Sequence, residues 1–283
     1  MESPAVTMLW ESVDPTERLM QRFGFRGGAA VADWVADALQ RRWDLDVTNC
    51  ERVVISDWNV MAWVVANERR LIAKWSALPQ RFARLEDAAR IVTWLDSRGI
   101  PVAAPIPAAD GHLLVEFDND AKGRVKSRLP LPESRFLLGL LPFIEGDLLA
   151  VNDPAQVTDA GQMLAAVHEA LASYPLQVGG RRSDGQEQLV HNDFRSANVL
   201  HNGTRITAVL DLEEVTYDTR VADLAKAAVL LGTRYRDWGP TSEGVREAFV
   251  AAYTEHTQAA LTTAEQQELE ARIAAVQRTM GWG

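Results

Sequence analysis

The 283-residue sequence has few of the features that mark secreted, membrane-spanning or disulfide-stabilised proteins. Its one cysteine, Cys50, has no second cysteine with which to form an internal disulfide, which is typical of a reducing compartment. No apolar run approaches the roughly 20 residues that a membrane-spanning helix needs. The first 12 residues contain no Lys or Arg, whereas a secretory signal begins with positive charge. We therefore expect a cytoplasmic protein that does not bind membranes.

Positive charge is also scarce. The chain carries 29 basic and 39 acidic side chains, a net charge of −10, which argues against a nucleic-acid partner. The deficit is concentrated in residues 141–283, which hold 20 acidic and 11 basic side chains. An acidic surface that serves solubility explains this excess, and a cationic ligand is the alternative explanation.

Several common nucleotide-binding and hydrolase motifs are absent as well. The sequence contains no GxxxxGK[ST], GxGxxG, HExxH, GxSxG or CxxC pattern. Their absence disfavours a P-loop ATPase, a Rossmann dehydrogenase, a zinc protease and an α/β-hydrolase of the usual kind.

Hydrophobic periodicity predicts an α+β protein with two lobes. Short strands are predicted over 52–55, 60–66, 71–75, 112–117 and 135–144, with helices over 29–43 and 82–96. Helical spacing prevails after residue 146. We predict a small first lobe with an antiparallel sheet and an N-terminal helical extension (residues 1–140), a linker (141–146), and a larger, mainly helical lobe (147–283). A cleft between two lobes is a common place for a small-molecule site.

Local signals define the helix ends in the second lobe. Asp153 followed by Pro154 is typical of a helix N-terminus. Thr263 and Gln266 have the spacing of a capping box at the start of the last helix. A loop or hairpin insertion is predicted over 118–133 and a polar loop over 175–188.

One stretch, residues 189–200, carries the pattern H-x-D-x-x-x-x-N between apolar flanks. Phosphoryl transfer needs a carboxylate that accepts a hydroxyl proton and an amide oxygen that binds magnesium, and Asp193 and Asn198 supply these groups. His191 is interpreted as a buried residue that orients the loop. Arg195 could offset charge on the transferred phosphoryl or pair with a surface carboxylate, and the sequence favours neither.

A predicted hairpin brings a second carboxylate to this loop. Asn202-Gly203 is a strong signal for a two-residue turn, which would place His201 opposite Thr204. Extending that register brings Asp211, at the end of the second strand, beside Asp193. Hard oxygen ligands at one point suit Mg²⁺.

These motifs resemble the aminoglycoside phosphotransferase family, in the protein-kinase-like superfamily with choline, homoserine and fructosamine kinases. The H-N-D of residues 191–193 is similar to the form in choline-kinase-type members. Residues 211–213 (D-L-E) match the family's D-x-[DE], residues 223–225 (D-L-A) its downstream D-L-A, where the aspartate is structural, and residues 164–168 its L-A-x-L-H helix. The resemblance extends from about residue 28 to about residue 255, with the sharpest motifs between 191 and 225.

The resemblance implies a bilobal protein-kinase-like fold and direct transfer of a γ-phosphoryl from ATP, or alternatively GTP, to a hydroxyl of a small molecule. Asp193 would be the base, with Arg195 beside it. Mg²⁺ would bind Asn198 and Asp211, and Glu213 through water.

The first lobe would then bind the nucleotide. Lys74 corresponds to the lysine that contacts the α- and β-phosphates, and Glu86 to its ion-pair partner. Asn59 ends a glycine-free turn, residues 56–59, where protein kinases have their Gly-rich loop. The linker backbone would hold adenine, through Pro142, Phe143 and Ile144.

The acceptor and the oligomeric state, monomer or homodimer, stay open. The acidic second half favours a cationic acceptor, such as an aminoglycoside, a basic peptide antibiotic or a quaternary amine, and hence antibiotic inactivation. A metabolic kinase for choline, homoserine or a sugar is the alternative. A non-catalytic pseudokinase should lack the base, a metal ligand or the lysine, and all of these are present. A protein kinase is disfavoured because residues 211–223 are too few for an activation segment and no A-P-E follows.

Overall fold

The computed structural model describes residues 3–118, 135–179 and 187–282. The chain divides into two compact units, the first formed by Met1–Ala89 with Ala104–Phe143 and the second by Arg90–Ala103 with Ile144–Gly283. Residues 90–103, which the sequence assigned to the first lobe, are therefore grouped with the second unit. The predicted loop over 118–133, apart from its first residue, and the middle of the loop over 175–188 lie outside the described residues.

The first unit is built on a six-stranded sheet with helices before and between its strands. In chain order its elements are β1 (Ala5–Met8), α1 (Pro15–Phe23), α2 (Gly28–Trp43), β2 (Val47–Ile55), β3 (Asn59–Ala66), β4 (Arg69–Ser76), α3 (Phe82–Ser97, whose second half belongs to the other unit), β5 (Leu114–Asp118) and β6 (Arg135–Pro142). The strand order is β1-β2-β3-β4-β6-β5. All neighbours are antiparallel except β1, which pairs with β2 in parallel.

The antiparallel part of this sheet confirms the predicted fold class, with three differences in detail. The N-terminal extension contains β1 as well as helices. The β3–β4 connection is a two-residue turn, Asn67-Glu68, and not the predicted four-residue one, because both residues adopt positive φ (46° and 62°) and allow Ala66 to pair with Arg69. The predicted linker begins inside the sheet, since β6 continues to Pro142.

Aromatic packing joins α2 to the sheet in the first unit. The Trp34 ring, on α2, lies 5.0 Å from the Trp75 ring of β4 and 5.4 Å from the Phe136 ring of β6, measured between centroids. Phe25, just before α2, stacks on Phe136 at 6.0 Å. Buried aromatic pairs at these spacings contribute beyond their burial alone, so the C-terminal end of β4, at Trp75, is held firmly.

The second unit is mainly helical, with two small antiparallel sheets. Its elements are β7 (Asp147–Leu148), α4 (Pro154–Ala172), β8 (Gln188–Val190), β9 (Val199–His201), β10 (Ile206–Val209), β11 (Thr216–Asp218), α5 (Arg220–Leu230), α6 (Glu243–His256) and α7 (Thr263–Thr279). One sheet has the order β10-β9-β7, and the other pairs β11 with β8. In the described residues no helix combines the length and the apolar character needed to cross a membrane.

Helix α4 begins and packs as its sequence dictates. The predicted N-terminus is confirmed, since the Asp153 carboxylate accepts a hydrogen bond from the Ala155 N–H at 3.0 Å and Pro154 is the first helical residue. Further along, α4 crosses α6 at Gly161. A Cβ at this position would lie 2.4 Å from the Phe249 carbonyl oxygen and 2.9 Å from the Tyr253 nitrogen. The crossing is therefore possible only with glycine.

The predicted β9–β10 register is wrong. His201 pairs with Ile206, so the connection has four residues, 202–205, and not two. The Asn202 Oδ1 accepts hydrogen bonds from the Thr204 and Arg205 backbone N–H groups, both at 3.1 Å, and this Asx turn replaces the predicted hairpin turn. The register that was expected to bring Asp211 beside Asp193 does not occur.

The capping box of α7 lies one residue earlier than predicted. It joins Thr262 to Glu265, each side chain accepting from the other's backbone N–H. The Glu265 carboxylate also accepts hydrogen bonds from the Arg220 Nε at 2.9 Å and Nη2 at 3.0 Å. The ion pair with α5 favours the carboxylate of Glu265 over the amide of Gln266. The Arg220 hydrogen bond is the main cause that lowers the pKa of Glu265 to about 2.

We expect Glu265→Gln to reduce the free energy of unfolding at neutral pH by about 1–2 kcal/mol, because it weakens a helix cap and removes an ion pair. The folded-state pKa of about 2 lies below the ordinary 4.5. The contribution of the carboxylate is therefore complete above pH 4.5 and lost as the pH falls towards 2. Denaturant unfolding over this pH range checks the effect, with Glu270→Gln on the same helix as control. If the difference in unfolding free energy between the wild type and Glu265→Gln does not narrow in acid, the loss of stability does not come from the charge of Glu265.

Candidate active site

Residues 191–198, here called the catalytic loop, connect β8 to β9 and hold Asp193 in a fixed orientation. The Asp193 Oδ1 accepts a hydrogen bond from the Arg195 Nε at 2.9 Å, and Oδ2 accepts one from the Asn198 Nδ2 at 2.7 Å. The same Nδ2 donates to the Asp193 carbonyl at 2.8 Å. The Asp193 side chain is still 22% exposed. The structure thus brings these three predicted residues together around an accessible carboxylate.

His191 shapes the loop and does not titrate near neutral pH. Its Nδ1 accepts a hydrogen bond from the Asp193 N–H at 3.2 Å, and its Nε2 lies 3.1 Å from the Leu210 carbonyl oxygen. A carbonyl can only accept, so these partners assign the proton to Nε2. Complete burial lowers the pKa of His191, despite opposing charges nearby, and the ring stays neutral.

Asn192 adopts an unusual backbone conformation directly before Asp193. Its φ of 63° lies in the left-handed region, which asparagine tolerates better than most residues. Its N–H donates to the Asp223 Oδ1 at 2.9 Å, and its Nδ2 donates to the Glu214 carbonyl at 3.1 Å. Its two oxygens accept from the Lys226 ammonium. The surroundings therefore fix this conformation completely.

The buried carboxylate of Asp223 accepts hydrogen bonds from the backbone of the catalytic loop and holds the loop in place. Its Oδ2 lies 2.9 Å from the His168 Nε2 and accepts the His191 N–H at 3.2 Å. The His168 Nδ1 lies 2.9 Å from the Tyr253 hydroxyl. Burial acts to raise the pKa of Asp223, but the His168 hydrogen bond and the nearby histidines and N–H groups together hold this pKa below its ordinary value. A charged Asp223 therefore links α4, α5 and α6 to the catalytic loop.

Asp211 reaches the same loop by a route other than the predicted one. The Leu210 N–H donates to the Asn198 carbonyl at 2.8 Å, and the Leu210 carbonyl accepts from His191. Asp211 follows directly in a left-handed conformation with φ 58°, and its side chain is exposed. Glu213 lies in the short 3-10 turn Leu212–Glu214 and is half-buried. Leu210 thus ties the chain next to Asp211 to the catalytic loop although the hairpin register was wrong, and the placement of the Asp211 carboxylate beside Asp193 stays a prediction.

The donor atoms available at this place suit magnesium better than zinc. The described residues contain no cluster of three or more His, Cys, Asp or Glu side chains arranged to hold a metal. Mg²⁺ needs no such cluster, since it takes one or two protein ligands together with phosphate oxygens and water. The Asn198 Nδ2 is directed at Asp193, and no described residue donates a hydrogen bond to its Oδ1. This oxygen and the exposed Asp211 carboxylate therefore fit Mg²⁺.

In the first unit, Lys74 lies on β4, where it is half-buried and pairs in register with Met61 and Gly139. Its predicted partner Glu86 is exposed, because the buried residues Phe82 and Leu85 turn it to the solvent face of α3. The ion pair between Lys74 and Glu86 stays a prediction.

The turn at residues 56–59 closes without glycine. The Ser56 N–H donates to the Asn59 carbonyl at 2.9 Å, and Asp57 points into solvent. The N-terminal segment braces this turn: the Arg22 Nη1, from α1, donates to the Ser56 carbonyl at 3.3 Å, and the Trp10 Nε1 donates to the Asp57 carboxylate at 3.3 Å. This brace was not predicted, because a basic residue in the last turn of α1 is only a weak signal for it in the sequence.

The predicted adenine contacts lie at the end of β6 and just beyond it. Pro142 has no N–H to donate, and the Phe143 N–H donates to the Arg70 carbonyl at 3.3 Å. The Arg70 guanidinium lies 3.8 Å from the centre of the Phe143 ring. Ile144 is half-buried. The Phe143 N–H is thus less available for adenine than predicted. The backbone groups that could still bind adenine are the carbonyls of residues 142–144 and the Ile144 N–H.

We expect Asp223→Asn to lower the free energy of unfolding at neutral pH by about 2–4 kcal/mol, because buried donors lose a charged acceptor. Amide hydrogen exchange at residues 191–193 should accelerate. Since the folded-state pKa of Asp223 is depressed, its contribution is present above the ordinary carboxyl pKa and lost as the pH falls through the folded-state value. The free energies of unfolding of the wild type and of Asp223→Asn should therefore converge in acid. Asp96→Asn, at an exposed position, is the control, and equal effects of the two variants would contradict this role.

The fold and part of the sequence are similar to those of known proteins. The model of the phosphotransferase enzyme family matches residues 176–266, and no curated protein matches the chain. The microcompartment-associated aminopropanol kinase superposes with a TM-score of 0.66 at 16% identity, covering 88% of each chain. Amicoumacin kinase, solved with AMP-PNP, Ca²⁺ and Ami, gives 0.62 at 13% identity, covering 87% of this chain and 93% of the other.

Spectinomycin phosphotransferase, solved with ADP and its antibiotic, gives a TM-score of 0.59 at 12% identity, covering 86% of this chain and 84% of the other. At such identities the likeness shows the fold. The chain has the protein-kinase-like fold of these phosphotransferases, and its residues 176–266, which contain the catalytic loop, match the phosphotransferase enzyme family.

Proposed function

We propose that this protein is a kinase that transfers the γ-phosphoryl group of a nucleoside triphosphate to a hydroxyl of a small molecule. The observation that carries the proposal is the Asp193 carboxylate, held by Arg195 and Asn198 on a loop whose end is tied to the segment of Asp211. This is the donor set that phosphoryl transfer uses. The family match over residues 176–266 supports the same reaction class.

In this reaction Asp193 orients the acceptor hydroxyl and takes its proton. Each carboxylate oxygen accepts one described hydrogen bond, from Arg195 or from Asn198, and has a further lone pair for the acceptor. Both bonds restrict rotation of the carboxylate, so little reorganisation is needed when the substrate arrives. The transfer is direct, and positioning and electrostatic stabilisation provide most of the rate enhancement.

Arg195 is suited to the charge of the transferred group. It is 6% exposed, and its Nη1 is buried without a hydrogen-bond partner in the described part of the chain. The carboxylate with which Arg195 pairs is that of Asp193 and not a surface carboxylate, which was the second interpretation of the sequence. A buried guanidinium N–H that lacks a partner is costly, and a phosphoryl oxygen beside Asp193 would satisfy it.

The proposed reaction also needs residues that hold the metal and the nucleotide. Asn198 and Asp211 would bind Mg²⁺, with Glu213 acting through water. The bound ion supplies neutralisation of phosphate charge. Lys74 would contact the phosphates, Asn59 lies in the turn that would cover them, and the chain at 142–144 would hold the base of ATP or GTP. Relatives of the same fold solved with ADP and with AMP-PNP and Ca²⁺ support nucleotide binding.

Two acceptor classes are supported by separate observations. Spectinomycin phosphotransferase and amicoumacin kinase favour an antibiotic acceptor and hence antibiotic inactivation, whereas the aminopropanol kinase favours a small amino alcohol of metabolism. The excess of acidic residues in 141–283, including Glu213, Glu214 and Asp218 just after Asp211, favours a cationic acceptor in either class.

The first experiment is a coupled assay of ADP or GDP release with Mg-ATP and Mg-GTP across aminoglycosides, basic peptide antibiotics, macrolides, choline, homoserine, amino alcohols and sugars. One acceptor should stimulate turnover. Asp193→Asn should reduce that turnover by about 10²–10⁴-fold, since general-base catalysis is lost, whereas Asp96→Asn should not. A wild-type protein that binds no nucleotide with Mg²⁺, or an Asp193→Asn variant with full turnover, would rule the proposal out.

We expect Arg195→Met to lower kcat by about 10²-fold, because a donor to the developing phosphoryl charge is removed. The Kd of the nucleotide should change little. Arg195→Lys should recover only part of kcat, since one ammonium cannot reproduce two guanidinium N–H directions. Arg195 is buried, so thermal unfolding is measured in parallel. If kcat per folded molecule stays at the wild-type value, Arg195 has only a structural role.

A further inference from the structure

Lys226 makes a contact with the catalytic loop that the proposed chemistry does not require. It lies in the middle of α5, and its Nζ donates hydrogen bonds to the backbone oxygen of Asn192 and to its Oδ1, the latter at 2.9 Å. In the described residues no carboxylate lies within ion-pair distance of this ammonium. Its charge is therefore directed at two neutral oxygens of the residue that directly precedes Asp193.

Asn192 needs such a partner because its conformation is not one that its backbone prefers. With φ at 63° it lies in the left-handed region, which non-glycine residues occupy at a cost that the surroundings must offset. The Asp223 carboxylate and the Glu214 carbonyl engage its two donors. Lys226 is the described residue that engages its two acceptors.

This contact acts on the orientation of the base through one rigid group. The peptide unit that joins Asn192 to Asp193 is planar, so its C=O and N–H directions are fixed relative to each other. Lys226 binds the C=O end of this unit, and the His191 Nδ1 binds its N–H end. With both ends held, the plane cannot rotate, and the Cα–Cβ bond of Asp193 starts from a fixed direction.

We propose that Lys226 is a positioning residue for Asp193: by holding the left-handed Asn192 and the peptide plane that follows it, the ammonium sets the direction of the base. The inference rests on the proposed kinase function for its effect on turnover. The positioning itself is a property of the loop and can be observed without substrate.

The surroundings of Lys226 allow its charge to be removed without loss of packing. Lys226 lines a cavity of about 280 Å³ between α5 and α7, together with Leu230, Val276 and Met280. Methionine can fill the place of the lysine side chain among these apolar neighbours. Arg272 lines the same cavity from α7 and pairs with Glu268, so it offers a matched cation that does not contact the loop in the described structure.

The test compares Lys226→Met and Lys226→Arg with Arg272→Met. We expect Lys226→Met to lower kcat by about 10- to 100-fold, as a misplaced catalytic group does, with a smaller change in the KM of the nucleotide. Lys226→Arg should recover part of the loss. In an Asn192→Gly background, Lys226→Met should lower kcat by a smaller factor than in the wild type, because glycine adopts positive φ without strain.

A second measurement separates positioning from stability and from the function itself. In Lys226→Met, hydrogen exchange at the Asp193 amide should be at least tenfold faster, and the ¹⁵N shift of the His191 Nδ1 should change, while exchange in α4 and α6 stays as in the wild type. If the wild type binds no nucleotide with Mg²⁺, the proposed function fails, and this comparison alone decides the positioning role. Equal kcat in Lys226→Met and Arg272→Met, or an unchanged Asp193 amide, would overturn the inference.

Discussion

The arrangement of the second unit depends on one charge that is buried away from water. Asp223 is 3% exposed, and an ionised carboxylate at such a depth is tolerated only when donors replace the water it has lost. The donors are two consecutive backbone N–H groups of the catalytic loop and the ring of His168. The charge cannot keep its donors unless the loop stays in place. The cost of burying the carboxylate is thus what makes the loop rigid.

The Tyr253 hydroxyl and the Asp223 carboxylate are the two ends of this hydrogen-bond network, and they determine which atom donates each proton. Burial raises the pKa of Tyr253, so the phenol keeps its proton and can donate it to the His168 Nδ1. The opposite ring nitrogen, Nε2, is then free to direct its own proton at the Asp223 carboxylate, which only accepts. Hydrogen bonds that run in one direction reinforce each other in a medium of low polarity. Three helices therefore contribute to the placement of a loop that belongs to none of them.

The parts of the site that could be predicted are the local ones. Asp193, Arg195 and Asn198 lie within six residues, and the pattern H-x-D-x-x-x-x-N is enough to bring them together.

Contacts between distant residues were harder to predict. Asp211 was placed near the base from a hairpin register that does not occur, and the tie is in fact made by the backbone of Leu210. Glu86 fits a template by spacing alone, yet the buried face of its helix turns it to solvent. Lys226 looks like any polar residue in an amphipathic helix, since only the fold shows that Asn192 lies beside it. For the same reason the parallel pairing of β1 and the brace from α1 left no clear trace in the sequence.

The close crossing of α4 and α6 has a consequence well away from Gly161. His168 lies two turns further along α4, and Tyr253 is the very residue whose backbone nitrogen a side chain at position 161 would strike. A single added methyl group would push α6 outward and carry the phenol away from the imidazole it serves. The distance between the two helices therefore also determines the length of the hydrogen bond between His168 and Tyr253. Because His168 contacts Asp223, which holds the catalytic loop, the absence of a Cβ at position 161 contributes to the orientation of the Asp193 carboxylate.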